Sequence, residues 1–112
     1  MNGRDFRNAL HSGKYVYGMM QVSRSPKFAE SVRSLGMDYI FIDSEHIDID
    51  RTTLAWMCHT YSAMGIAPIV RIPEPDPYQA STVIDGGADG VIFPYVESVE
   101  EVKALVGAVK YK

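Results

Sequence analysis

The segment Asp43-Ser44-Glu45-His46 puts three ionisable side chains into four residues, directly after the apolar run Tyr39-Ile40-Phe41-Ile42. The apolar run reads as a buried strand. A packed core gains nothing from two carboxylates and an imidazole at its end, because each costs free energy to bury without a partner. A reacting centre does use them: an imidazole can carry a proton near neutral pH, and carboxylates can orient it. Arg71 stands within a second apolar run, Ile69-Val70-Arg71-Ile72, where alternation turns its side chain inward. An inward guanidinium needs an anion, and Asp43 or Glu45, one strand away, can supply it. His46 and Arg71 together would offer a proton-transfer group and a fixed cation for a small carboxylate. The competing reading is a structural ion-pair network at a sheet edge, with His46 an exposed loop residue.

These residues need elements that hold them. The sequence alternates strands and helices. A short helix over Asp5 to His11 opens the chain, and Tyr15 to Val22 reads as the first strand. Ser25 caps a helix with Pro26 at its first position, Gly36 ends it, and Ala29, Val32 and Leu35 form its apolar stripe. Tyr39 to Ile42 is the second strand. Asp50 caps the next helix, where Leu54, Met57, Cys58 and Tyr61 recur at helical spacing before Gly65. Pro68 to Ile72 is the third strand, and Asp76-Pro77 opens a short helix that stops at Gly86-Gly87. Gly90 to Val96 is the fourth strand. Ser98 and Glu101 form a capping box for the last helix, with Val99, Val102, Leu105, Val106 and Val109 as its stripe.

Continuous apolar strands alternating with amphipathic helices define an α/β parallel sheet covered by helices. Two architectures fit: a complete open doubly wound sheet, or half of a (β/α)8 barrel, which takes about 250 residues when whole. In both, the residues that follow each strand lie at the carboxyl edge, where ligands bind. Asp43, Glu45, His46, Arg71 and Glu97 all fall there. Asp85, at a helix end before Gly86-Gly87, reads locally as solvated polarity, and Cys58 reads as core.

The bulk properties exclude several classes. At 112 residues, 46% hydrophobic and 22% charged, the chain has material for one modest globular core. A net charge of -3 makes no electrostatic case for nucleic acid. No apolar run approaches the roughly 20 residues of a membrane helix, the N-terminus lacks a signal-peptide core, and the single Cys58 has no internal partner; these point away from the membrane and toward the cytoplasm. There is no GxGxxG after the first strand, no GxxxxGK[ST] and no Cys/His metal cluster, and Ser44 lacks the glycine setting of a nucleophile elbow.

The ordered set of motifs resembles the HpcH/HpaI aldolase/citrate lyase family, the metal-dependent class II pyruvate aldolases. It begins with Asp5-Phe6-Arg7-Asn8-Ala9-Leu10 and Gly13, and continues through Ser25-Pro26, Ala29-Glu30 and Gly36-Met37-Asp38-Tyr39. The family's D-x-E-H signature matches Asp43-Ser44-Glu45-His46. Pro68, Val70 and Arg71, Ile84-Asp85-Gly86-Gly87-Ala88, and the strand Gly90 to Val96 with Pro94 complete the match. The resemblance implies a TIM barrel, of which residues 1–112 would be an N-terminal half-barrel, apparently truncated. It implies a carbon–carbon lyase that reversibly cleaves a 4-hydroxy-2-oxo acid to pyruvate and an aldehyde through a metal-stabilised enolate, in a homo-oligomer when full length.

By the same resemblance Arg71 stabilises enolate charge and binds substrate, His46 takes part in proton transfer, and Asp85 partners that histidine from a neighbouring subunit. Asp43 and Glu45 are acids around the metal-bound waters and the arginine. The divalent metal, Mg, Mn or Co, would be held by a Glu and an Asp of strands five and six, beyond Lys112. Ile47-Asp48 departs from the small or proline residues usual after the histidine. The alternatives are a non-catalytic half-barrel that binds or assembles, and a receiver-like signalling module. The latter is ranked last because Gln21-Val22-Ser23-Arg24 stands where an acidic pair is needed.

Overall fold

Each helix begins where a side chain can satisfy its open backbone N–H groups. In the computed structural model, which describes residues 1–111, Asn2 caps α1 (Gly3–His11), Ser25 caps α2 (Pro26–Ser34), Asp50 caps α3 (Arg51–Ala63), Asp76 caps α4 (Pro77–Asp85) and Ser98 caps α5 (Val99–Lys110). The cap bonds run from 2.7 Å, Thr53 N–H to Asp50, to 3.3 Å, Lys27 N–H to Ser25. Such a cap typically contributes about 1 kcal/mol. The Ser98 box is only half formed: its hydroxyl accepts from Glu101 N–H, but the Glu101 carboxylate reaches the N–H of Glu97 instead.

Four strands, β1 (Gly18–Gln21), β2 (Tyr39–Asp43), β3 (Ala67–Arg71) and β4 (Gly90–Ile92), pair in parallel in the order β1-β2-β3-β4. The order never reverses. Right-handed crossovers without a reversal lay every helix on the same face and curl the sheet in one direction. This removes the open doubly wound alternative, which requires a switch in strand order. The arrangement is that of the first half of a (β/α)8 barrel.

Register then assigns the two faces. Met19, Ile40, Val70 and Val91 share the helix side, where Ile40, Ile42 and Val70 pack against Val32, Leu54, Tyr61 and Val83 to form the core. On the other side Met20 lies beside Phe41, Phe41 beside Ile69, and Arg71 between Asp43 and Ile92. This second face corresponds to a barrel interior. Its amino end is closed by α1, whose Phe6 ring meets Tyr39 with centroids 5.0 Å apart. The Tyr39 ring in turn lies across Gly18, where a Cβ would come within 2.5 Å of it.

Several element boundaries differ from the expectation. The first strand is shorter than Tyr15 to Val22, because Tyr15, Tyr17 and Val22 are exposed. The fourth ends at Ile92 instead of Val96, since buried Pro94 has no N–H for a ladder and Tyr95 turns away at φ 56°. In α2, Leu35 is exposed and Phe28 takes its place against the core. In α5, Val99 and Val102 are exposed, and Leu105 alone is fully buried.

Candidate active site

Asp43 is the last residue of β2, and its side chain is wholly buried. The register sets it directly beside Arg71, the last residue of β3. The pair is bidentate: Arg71 Nε donates to Oδ1 at 3.0 Å and Nη2 to Oδ2 at 2.6 Å. The backbone N–H groups of Glu45 and His46 also donate to Asp43 Oδ1, at 2.9 and 3.3 Å. Burial pushes the carboxyl up, but the Arg71 bonds and the two N–H groups outweigh it and hold Asp43 below its ordinary value. Arg71 is correspondingly raised, chiefly by its bonds to Asp43. The Phe41 ring, on the same face, supports the guanidinium with Cζ 5.3 Å from its centroid.

Asp43 thereby curls the following loop back on itself, in the manner of an Asx turn. Ser44 locks it: its N–H and its hydroxyl both donate to the Arg71 carbonyl, at 3.0 and 2.6 Å. The hydroxyl is thus a structural donor. The turn brings Glu45, only 10% exposed, between the cation and the imidazole. Its Oε1 lies 3.4 Å from Arg71 Nε and 3.2 Å from His46 Nε2. His46 is 63% exposed. Nε2 is the ring nitrogen that faces Glu45. Arg71 Nη1 lies outside the Asp43 pair.

The structure brings together four of the five expected site residues: Asp43, Glu45, His46 and Arg71. It does not bring Asp85 to them within this chain. Asp85 ends α4 and lines a groove of about 760 Å³ between α3 and α4, with Arg51, Trp56 and His59. Glu97, also at a strand end in the sequence, is exposed, and its backbone N–H donates to Glu101.

Tyr95 was not singled out by its sequence. It is exposed, it is the one non-glycine residue with positive φ among the described residues, and its phenol faces the Glu45 carboxylate, which raises the phenol above its ordinary value. A left-handed conformation in such a residue costs on the order of 1 kcal/mol or more and persists only where surroundings enforce it. The available signal was Pro94, which stops the ladder just before it.

The donor set does not itself form a metal site. Among the described residues no group of three or more His, Cys, Asp or Glu side chains is placed to hold a metal ion. Asp43 spends both oxygens on Arg71 and the loop N–H groups, and Glu45 Oε1 faces two donors.

A parallel sheet wound in one sense thus carries a carboxylate–guanidinium–imidazole array at its carboxyl edge, the edge at which barrel proteins bind ligands. The chain belongs to the HpcH/HpaI aldolase/citrate lyase family, whose pattern matches residues 17–112. It is 32% identical over 106 residues to a hydroxypyruvate/pyruvate aldolase of Roseovarius nubinhibens, covering 95% of this chain and 41% of that protein. It is 34% identical to a 2-dehydro-3,6-dideoxy-6-sulfogluconate aldolase of Pseudomonas putida, covering 84% of this chain and 37% of the relative. Among solved structures it superposes on an HpcH/HpaI aldolase from Desulfitobacterium hafniense with a TM-score of 0.84 at 28% identity, covering 94% of this chain and 41% of that one. It matches the citrate synthase SbnG with a TM-score of 0.86 at 33% identity, covering 94% and 43%. The chain therefore spans about 40% of the length of the relatives it matches.

Proposed function

We propose that this chain is the N-terminal half-barrel of a pyruvate-type aldolase and supplies the acid–base and cationic half of its active site. The observation that carries the reading is Glu45 Oε1, which joins His46 and Arg71 at one sheet edge. Cleavage of a 4-hydroxy-2-oxo acid breaks the C3–C4 bond. The hydroxyl proton on C4 leaves to a base, the aldehyde departs, and the bonding pair moves onto C3 and the 2-oxo oxygen as an enolate. Protonation at C3 gives pyruvate. Arg71, pinned through Nε and Nη2, holds a fixed positive charge where that oxygen and the substrate carboxylate carry theirs. His46 accepts and returns the proton. The fixed guanidinium needs no reorganisation as charge develops, which is the source of its advantage over water.

A divalent metal is part of this proposal for the complete protein only. Asp43 and Glu45 are engaged with Arg71, His46 and the loop N–H groups, so the metal's ligands would come from other strands. Asp85 is proposed to act in the site of a neighbouring subunit, in keeping with its place on the outer helical layer. A cytoplasmic homo-oligomer acting on a 2-oxo acid and an aldehyde completes the reading.

The test is exchange of pyruvate methyl protons with D2O, followed by NMR, using the longest gene product that carries this chain, with Mg²⁺ or Mn²⁺ supplied. Exchange should occur, and Arg71→Ala and His46→Ala should each lower it by about 10²-fold or more. Exchange at the unsubstituted rate in Arg71→Ala would show that Arg71 does not stabilise the enolate. Its absence from the unsubstituted protein would favour the non-catalytic half-barrel.

A further inference from the structure

We infer that Arg24 is a positioning residue for the aldehyde side of this site: it braces Ile47-Asp48, the stretch that follows His46, and so fixes a wall beside the aldehyde half of the substrate. The inference rests on the aldolase reading for the identity of that half, and on hydrogen bonds for the brace. Arg24 stands in the loop after β1, next to the loop after β2. Its Nη1 donates to the Asp48 carbonyl oxygen at 2.9 Å. The base of this arm is itself held. Gln21, the buried last residue of β1, donates from Nε2 to the Ser23 carbonyl at 2.5 Å, and its Oε1 accepts from the buried Tyr61 phenol. The Ser25 N–H donates to Ser23 Oγ at 3.1 Å, and Ser25 then caps α2. A chain of bonds thus runs from the core, through the β1 loop, to the outer part of the β2 loop.

The outer part is where the β2 loop lacks other ties. Its inner part hangs on Asp43, which accepts from the Glu45 and His46 N–H groups, and on Ser44. Its far end is set by Ile49 against the core and by Asp50, which caps α3. Among the described residues, the Arg24 bond is the one hydrogen bond that reaches residues 47–49 from another element. Among the same residues Arg24 forms no ion pair with a carboxylate, so its grip is on the backbone. Arg24 is exposed, and a solvated bond of this kind adds little to global stability. What it supplies is position. In the proposed reaction Arg71 faces the 2-oxo and carboxylate end, and His46 takes the proton of the C4 hydroxyl. The rest of what C4 carries is the aldehyde half. Ile47 and Asp48 follow His46 within about 7 Å of chain, which sets them beside that half.

Two measurements on the longest gene product carrying the chain test this. NMR relaxation of the Ile47 δ1 methyl, compared with those of the core residues Ile40 and Ile42, reports the brace without any substrate. Arg24→Met keeps the stem and removes the donors; it should lower the order of Ile47 and leave Ile40 and Ile42 unchanged. Arg24→Lys, which keeps a donor, should restore part of that order. An Ile47 unmoved by Arg24→Met overturns the brace. In aldol addition of pyruvate to glycolaldehyde, Arg24→Met should raise KM for the aldehyde about fivefold with kcat within about twofold. Pyruvate proton exchange and the melting temperature should stay at their unsubstituted values, and Arg24→Lys should recover most of the KM. An unchanged aldehyde KM, or an equal loss in pyruvate exchange, overturns the assignment to the aldehyde side. If the unsubstituted protein exchanges no pyruvate protons, the aldolase reading fails, and Ile47 still decides the brace.

Discussion

Replacing Asp43 by Asn removes the charge on which the site's geometry depends while keeping its shape. Asp43 is fully buried and accepts from Arg71 Nε and Nη2 and from the N–H groups of Glu45 and His46. An Asn amide retains a single acceptor oxygen, and its NH2 group must face either the guanidinium or the loop N–H groups, which are all donors. Breaking a buried ion pair on one side costs about 3–5 kcal/mol. The Arg71 side chain is 25% exposed and recovers some hydration. The lower end, about 3 kcal/mol, is therefore expected. With a urea m-value of about 2 kcal/mol/M, the unfolding midpoint should drop by about 1.5 M. Circular dichroism at neutral pH reads this directly. Arg71→Met and the double variant complete a cycle, and the double variant should lose clearly less than the sum of the singles.

The same carboxyl predicts a pH signature. Its folded-state value lies below 3.8, so the unfolded chain takes up the proton first as pH falls. The stabilisation is fully present above that value and is lost as pH drops through the folded-state value. Asp43→Asn should abolish this slope. Destabilisation under about 1 kcal/mol, or strict additivity with Arg71→Met, would refute the claim that Asp43 anchors the array.

Two further outcomes follow from the packing. Tyr61, 1% exposed, donates from its phenol to Gln21 Oε1 at 2.5 Å, so Tyr61→Phe should cost about 1–2 kcal/mol by leaving that oxygen unpaired, measurable as a shift in the urea midpoint. Burial holds the same phenol at about 12, so its absorbance should titrate only there or upon unfolding. The chain expressed alone presents two sheet edges, β1 and β4, and an interior face on which Met20 and Ile92 are 40% and 38% exposed. It should self-associate or precipitate; sedimentation as a single monomeric species at every concentration tested would contradict this.

The helix starts were legible because each carries its own chemistry: Ser25-Pro26, Asp50 and Asp76-Pro77 announce caps that depend on few neighbours. The pairing of Arg71 with Asp43 was legible too, since an inward guanidinium on one strand demands an anion on the next. The choice between an open sheet and a barrel segment was not legible from periodicity. Strand order is a long-range property, and the family resemblance supplied it. The ends of β1 and β4 were misjudged because apolar content continues past the last ladder bond: Val22 and Val96 are apolar yet exposed. Tyr95 was passed over because its placement follows from one backbone angle, for which Pro94 is the one local hint.

Ser44 donates twice, from N–H and hydroxyl, to the carbonyl oxygen of Arg71. That single oxygen turns the ends of two strands into one mechanical unit. The residue that bears the cation and the loop that bears the imidazole are tied through backbone as well as through side chains, so a movement of the sheet edge carries both together. Their separation is consequently insulated from whatever happens at the rim. Loops beyond this edge are then free to diverge in length and composition without altering the pair beneath them.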